Sequence, residues 1–391
     1  MSKLEELIQQ YCPDGVEWKT LGDATIMKRG TSATKGIMQE GNIPVISGGR
    51  QPAFYCNVSN RIGEVITIAG SGAGAGYVQY WNEPIFVCDA FSIQGNETLK
   101  TKYIYYVLTS IQEKIYSTKK GGGVPHVHIS SIDKFEIPVP PLPVQEEIVR
   151  ILDTFTELQA ELQAELQAEL QKRKQQYNYY LDNLLNFNRG GYQAELRWMK
   201  MSEVCLKISS GGTPSRKNGY YFKGNIPWLR TQEVDWNNIY DTEIKITEEA
   251  FKNSSAKLIP ENCVIIAMYG ATAGKAGINK IPLTTNQACC NLQINPQTVL
   301  YKYAYYWVCK NYEKIKSLGQ GSQNNINAQI VKDYPIPVPS LSDQQKIVSI
   351  LDRFDRLTND LSSGLPAEME KRRQQYEYYR DKLLIFKRKG A

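Results

Sequence analysis

The chain has 391 residues, 42% hydrophobic and 22% charged, enough for two or three domains with their own cores. No apolar run approaches the roughly 18 residues of a membrane span, and the start MSKLEELIQQY does not read as a signal peptide, so a cytoplasmic protein is expected. A net charge of +6 permits a polyanionic partner without demanding one, and eight cysteines without a C-x-x-C pair read as reduced, buried thiols.

In chain order, residues 1–17 form a leading segment. Residues 18–142 carry short β-branched runs, PVIS and VITIA, punctuated by Gly, Pro and Asn, and one helix is expected over KYIYYVLTSIQEKIYS. The prolines of IPVPPLP then force extended backbone, and a long helical pattern fills 143–190. Residues 191–340 return to short strands, with CVIIA and a helix over KYAYYWVCKNYEKIKS, before a second helical segment, 341–391. Ser342 and Asp343, with Gln345 close behind, supply its expected N-cap.

The chain is thus written twice. KYIYYVL returns as KYAYYWV, and IPVPPLPVQEEIVRILDTFTEL returns as IPVPSLSDQQKIVSILDRFDRL. KRKQQYNYYLDNLLNF returns as KRRQQYEYYRDKLLIF. The last two pairs keep one offset, so the helical segments are equally long. Earlier parts correspond less closely: EVITIAGSGAGAG matches CVIIAMYGATAGKAG, with different residues in the Gly-rich loop. One frame with two sets of loops suggests two related ligand features, each read separately.

A helix of about 45 residues spans roughly 68 Å, too long to fold inside one domain. Its apolar stripe steps by four through Leu158, Leu162, Leu166 and Leu170, and the second helix answers with Leu357, Leu361, Leu365 and Met369. The simplest partner for each stripe is the other, in an antiparallel pair that separates the two bodies around an approximate two-fold axis. Gly364 and Pro366 should break the second helix, with Pro366 in the first turn of a restarted one. The first helix should run straight through ELQAELQAELQ (161–171).

Tests for chemistry fail one by one. GSGAGAG and GATAGKAG lack the spacing of a phosphate-binding loop, because three residues separate Gly270 from Gly274 and Ala276 follows Lys275. No adenine-methyltransferase tetrapeptide of the NPPY kind occurs. The two histidines, His126 and His128, are expected on one face of a strand, with no Cys or acidic cluster to complete a metal site. Neither a catalytic residue nor a metal ligand is expected.

Polar, basic and glycine-rich loops remain. Lys and Arg neutralise phosphates, Gly admits a close backbone N–H, and Arg, Gln, Asn, Ser and Thr read base edges. The first half offers Lys28, Arg29, Thr31 and Lys35; Arg50 and Gln51; Ser71 and Tyr77; and Lys119, Lys120, His126 and His128. The second offers Thr213, Ser215, Arg216, Lys217, Tyr220 and Tyr221; Arg230 and Gln232; Tyr269 and Lys275; and Gln320, Ser322, Gln323 and Asn324. A nucleotide enzyme using the Gly-rich loops, or a coiled-coil scaffold without DNA, are the competing classes.

With its two IPVP-helix junctions, its paired KR-QQY-YY helix ends and SGGTPSRKNGYYFKGNIPWL, the whole chain resembles a specificity subunit of a type I restriction–modification system. The four-residue repeats resemble the subgroup that carries such repeats in the central helix. The resemblance implies an α+β fold: two α/β target-recognition domains in a pseudo-two-fold arrangement, separated by two long antiparallel helices. It implies a non-catalytic subunit that binds double-stranded DNA at a bipartite site. Two methyltransferase (modification) subunits, which hold S-adenosylmethionine, would dock on the helices. Two restriction subunits with ATP- and Mg-dependent translocase and nuclease activity would join them, and this chain itself would hold no cofactor. Each four-residue repeat adds ~6 Å and a net ~40° of helix, against ~3.4 Å and about 34–36° per base pair; rotation gives one base pair and rise nearly two, and a spacer tilted from the DNA axis reconciles them, so one repeat is expected to change the gap by one base pair.

Overall fold

The computed structural model describes residues 2–33, 36, 38–121, 123–187, 196–319, 325–359 and 364–390. The chain divides into two compact units, Met1–Leu166 with Glu368–Ala391, and Gln167–Ala367. Among the described residues no helix is long and apolar enough to cross a membrane.

In the first unit, a four-stranded antiparallel sheet runs in the order Ile26–Arg29, Ala90–Gln94, Val65–Ala69, Val78–Trp81. VITIA is buried at every position, as a strand covered on both faces must be. A three-stranded sheet lies beside it in sequence, with Ile43–Ile46 between Phe54–Cys56 and Phe86–Val87. The unit's main core joins Ile66, Ile68 and Ile93 to Tyr103, Ile104 and Leu108, and to Ile148 and Leu152 of the long helix. The second unit repeats this plan with five- and four-stranded sheets. The IPVP segments also repeat: Glu17–Thr20 pairs antiparallel with Glu136–Val139, and Arg197–Lys200 with Pro335–Val338.

The long helix runs unbroken for 43 residues, Leu142–Leu184, as its Glu, Leu, Gln and Ala content dictates. The second segment is two helices, Leu341–Asn359 and Leu365–Leu383, and Pro366 sits in the first turn of the latter, where its missing N–H costs nothing. In the first unit, Phe155 meets Tyr379 edge-on at 6.4 Å and Thr156 bonds Tyr376 at 2.9 Å, while Leu384 joins the core of Ile148 and Leu152. Numbers rise on one helix as they fall on the other, so the pair is antiparallel. In the second unit, Tyr180 stacks on Phe354 at 4.9 Å, and Leu181 and Leu185 share a core with Leu351 and Ile347.

Two local expectations are corrected. The cap of the second helical segment is Ser340, whose Oγ accepts from the Asp343 amide at 3.2 Å, rather than Ser342 or Asp343. Each expected tyrosine-rich helix is two: Thr101–Ser110 then Gln112–Tyr116, and Tyr301–Lys310 then Tyr312–Ser317. Ile111 and Asn311 leave helical geometry at ψ 23° and 14°, which turns the chain toward the Gly-rich loop.

Candidate nucleic-acid interface

The Gly-rich loops are turns between antiparallel strands, not strand-to-helix loops, so neither places amides at a helix N-terminus as phosphate-binding loops do. Both halves build one turn. Gly76 and Gly274 donate to Ala69 and Ala267 at 2.8 Å, and Ala75 and Ala273 donate to Gly72 and Gly270 at 3.1 and 3.0 Å. The glycines at 72, 76, 270 and 274 all have φ between 76° and 86°, a conformation L side chains avoid. Gly76 and Gly274 are also covered by Tyr116 and Tyr312.

Two more loops dock on each turn in matching ways. Val127 and Ile326 donate to Gly70 and Met268 at 2.9 and 3.0 Å, which seats His126 and Asn325 beside the turn. A side chain on Gly48 would collide with Ser71, and one on Gly74 with the Gly48 carbonyl; at the matching place in the second half, Thr272 Oγ1 donates to Thr231 O at 2.8 Å. The frame is therefore common, and the side chains it presents differ: Tyr77 in one half stands where Lys275 stands in the other.

In the first half these contacts bring all four candidate loops together. Lys28 and Arg29 are exposed on the strand Ile26–Arg29, and the Thr31 amide bonds Val87 O at 2.9 Å. A cleft of about 420 Å³ is lined by Arg29, Gly70, Asp89, His126 and His128. The Ser71 hydroxyl donates to Asp89, and Ser71 and Lys120 both form bridges with His126. His126 and His128 stack with planes 4° apart and centroids 6.1 Å apart, but on a loop rather than a strand. Arg50 lies 4.9 Å over the Tyr77 ring and Lys119 4.0 Å over Tyr116, with no carboxylate in ion-pair range of either among the described residues. Gln51 is exposed beside Arg50.

The second half is wired differently. Arg230 is held by Glu233 at 3.2 Å and by Glu243, and Lys275 by Asp235 at 2.6 Å. Gln232 and Tyr269 are exposed on the loops that Thr272 joins, and Thr213 bonds Gln287 in the neighbouring turn. Ser215, Arg216 and Lys217 are exposed. Tyr220 and Tyr221 lie on a short 3-10 turn anchored elsewhere: Tyr221 bonds Glu249 at 3.4 Å, and Phe222 packs on Trp228. Lys35, Gln320, Ser322, Gln323, Asn324 and Leu361 lie outside the described residues. No group of three or more His, Cys, Asp or Glu able to hold a metal occurs among the described ones.

Along the helices, exposure of the repeat stripe falls from Leu158 at 56% through half-buried Leu162 and Leu166 to Leu170 at 8%. This is the drift that a four-residue period on a 3.6-residue helix must give. Leu357 is exposed, and Leu365 and Met369 are half-buried.

Sequence reasoning missed three residues. Arg61 donates to Ser92 at 2.7 Å and to Arg29 O at 2.8 Å, fixing the base of the first loop. Gln145 and Gln344, wholly buried, tie each long helix to its globular body. The repeat of PVQEE as SDQQK was their only signal.

The family model for the type I restriction modification DNA specificity domain matches residues 13–172 and again 195–371. The chain is 34% identical to the type I restriction enzyme EcoR124I/EcoR124II specificity subunit of Escherichia coli, over 99% of this chain and 97% of that one. It is 31% identical to a putative type I restriction enzyme specificity subunit of Haemophilus influenzae, over 95% and 96%. Among solved structures, it resembles the type I restriction-modification S subunit from M. genitalium (TM-score 0.52, 18% identity, 95% and 96% covered). It also resembles a chain from a structure of type I R-M complex assembly and conformational transition (TM-score 0.65, 17% identity, 95% and 97% covered).

Proposed function

The chain belongs to the type I restriction–modification DNA specificity family, and from that premise we propose that it reads a bipartite DNA target with one loop face per half. As a specificity subunit it recognises rather than catalyses. Residues 18–142 and 191–340 act as the two target-recognition domains, and 143–190 and 341–391 as the helical spacers. The helices set the gap between the half-sites and dock two methyltransferase subunits, which two restriction subunits join. S-adenosylmethionine, ATP and Mg belong to those partners, and the complex works in the cytoplasm.

The observation that carries this reading is the common turn with different side chains on it: Tyr77, under Arg50, in one half, and Lys275, paired with Asp235, in the other. Conserved mounting with altered presentation is what two readers of different sequences require. In the first half, Lys28, Arg29, Arg50, Lys119 and Lys120 neutralise phosphates, and Gln51, Ser71, His126 and His128 face base edges. In the second half, Arg216 and Lys217 take the backbone role, and Thr213, Gln232 and Tyr269 the reading role. Assembled with its methyltransferase partners, the chain should select one two-part motif from a random duplex pool, with binding that weakens steeply with salt. Methylation of all adenines alike would overturn the proposal.

A further inference from the structure

The attachment of each globular body to its helix repeats down to single hydrogen bonds. Gln145 Oε1 accepts from the Lys100 amide at 2.9 Å, while its Nε2 donates to Thr98 O at 2.9 Å and Pro140 O at 2.7 Å. Gln344 does the same with the Leu300 amide at 2.8 Å, Thr298 O at 3.0 Å and Pro339 O at 2.9 Å. Eight residues further along each helix, Tyr106 donates to Asp153 and Tyr306 to Asp352, at 2.5 and 2.6 Å. Lys102 and Lys302 reach the same carboxylates at 2.9 and 2.5 Å. Both glutamines are 0% exposed.

Apolar packing alone would not fix this joint. Val144, Ile148 and Leu152 are buried at four-residue spacing, a stripe that holds the helix by area rather than by direction. Apolar contact is non-directional, so although the strands Glu136–Val139 and Pro335–Val338 fix where each helix begins, a roll or tilt of the helix about that junction costs it little. The glutamine accepts one bond and donates two in fixed directions, and a rolled or tilted helix leaves them unmade in a dry site. The carboxylate pins the other end about 12 Å along the axis.

We infer that Gln145 with Asp153, and Gln344 with Asp352, are gap-setting positioning residues: they hold each DNA-reading body in one orientation on its helix, so that the helix alone sets the spacing of the two half-sites. The inference rests on the proposed bipartite reading and adds the residues that transmit the spacing. A purely structural role would lower stability without touching gap choice.

The test uses the full chain assembled with its methyltransferase subunits, and duplexes whose half-sites are separated by the native gap or by one base pair more or fewer. The variants are Gln145→Met and Gln344→Met, with Tyr106→Phe and Tyr306→Phe as milder forms that leave the glutamine bonds intact. The expected result is that discrimination against the altered gaps falls about tenfold, the scale of one buried hydrogen bond, while the native-gap rate stays within about threefold. Unchanged discrimination in variants whose unfolding midpoint has dropped would overturn the inference, and if the methionine variants do not fold, the phenylalanine pair decides on the same criterion. Failure of the unmodified complex to select any sequence would sink the bipartite reading instead.

Discussion

Arg50 and Lys119 lie over tyrosine rings with no carboxylate in ion-pair range among the described residues, whereas Arg230 and Lys275 are held by Glu233, Glu243 and Asp235. A cation free of carboxylates can release a counterion from DNA; one already paired gains less. Arg50→Ala and Lys119→Ala should each reduce the salt slope of binding by about one and weaken all sequences alike. Arg230→Ala should instead destabilise the fold by ~1 kcal/mol, by removing the guanidinium from Glu233 and Glu243 while Glu233 keeps the Arg230 and Glu243 amides, as a denaturant titration would show. The candidate cations were legible in the sequence as basic loops, but their carboxylates were not, because Glu243 is brought to Arg230 only by the sheet. Glu147 tests the same point by pH. Its carboxyl is held down to about 2, against a usual 4.5, first by the Arg150 bond and then by Lys3. A carboxylate with a lowered folded value stabilises fully above the unfolded value and loses that contribution as pH falls from about 4.5 toward about 2. Thermal unfolding between pH 6 and pH 3 should therefore decline less steeply in Glu147→Gln; identical slopes would contradict the assignment.

At the scale of elements, the long helix was the most legible part of the chain. Its repeats are strong helix formers with no Gly or Pro, and it runs unbroken through Leu142–Leu184, as expected. Gly364 and Pro366 marked the restart at Leu365 correctly. The break at Ile111 left no such mark, because Ile does not end helices by type, whereas Asn311 is of a type that often follows a helix end. A repeat of uniform composition behaves as a spacer, and four residues on a 3.6-residue helix also rotate the face each unit presents by a net ~40°. Deleting Gln163 to Leu166 removes ~6 Å and a net ~40°. The methylated site should then recur with its two half-sites intact and its gap shortened by one base pair; an unchanged gap with full methylation would remove the spacer reading.

For the whole molecule, the duplication carries the argument. It was visible in the IPVP junctions and the QQY helix ends, where both copies retain the same residues for packing and for the glutamine joint. The convergence of residues 28–33, 47–51 and 123–128 around the turn at 70–77 was not visible, since it depends on contacts such as the Val127 amide to Gly70 between segments far apart in sequence. What was legible is the frame, and what was hidden is how each frame presents its side chains. The central claim is that each half reads its own part of the target. It is tested most directly by replacing residues 18–142 with the matching segment of a relative of different specificity and mapping every methylated adenine in cells expressing the complex. One half of the motif should change while the other half and the gap stay as they were. A motif altered in both halves, or in neither, would contradict the account.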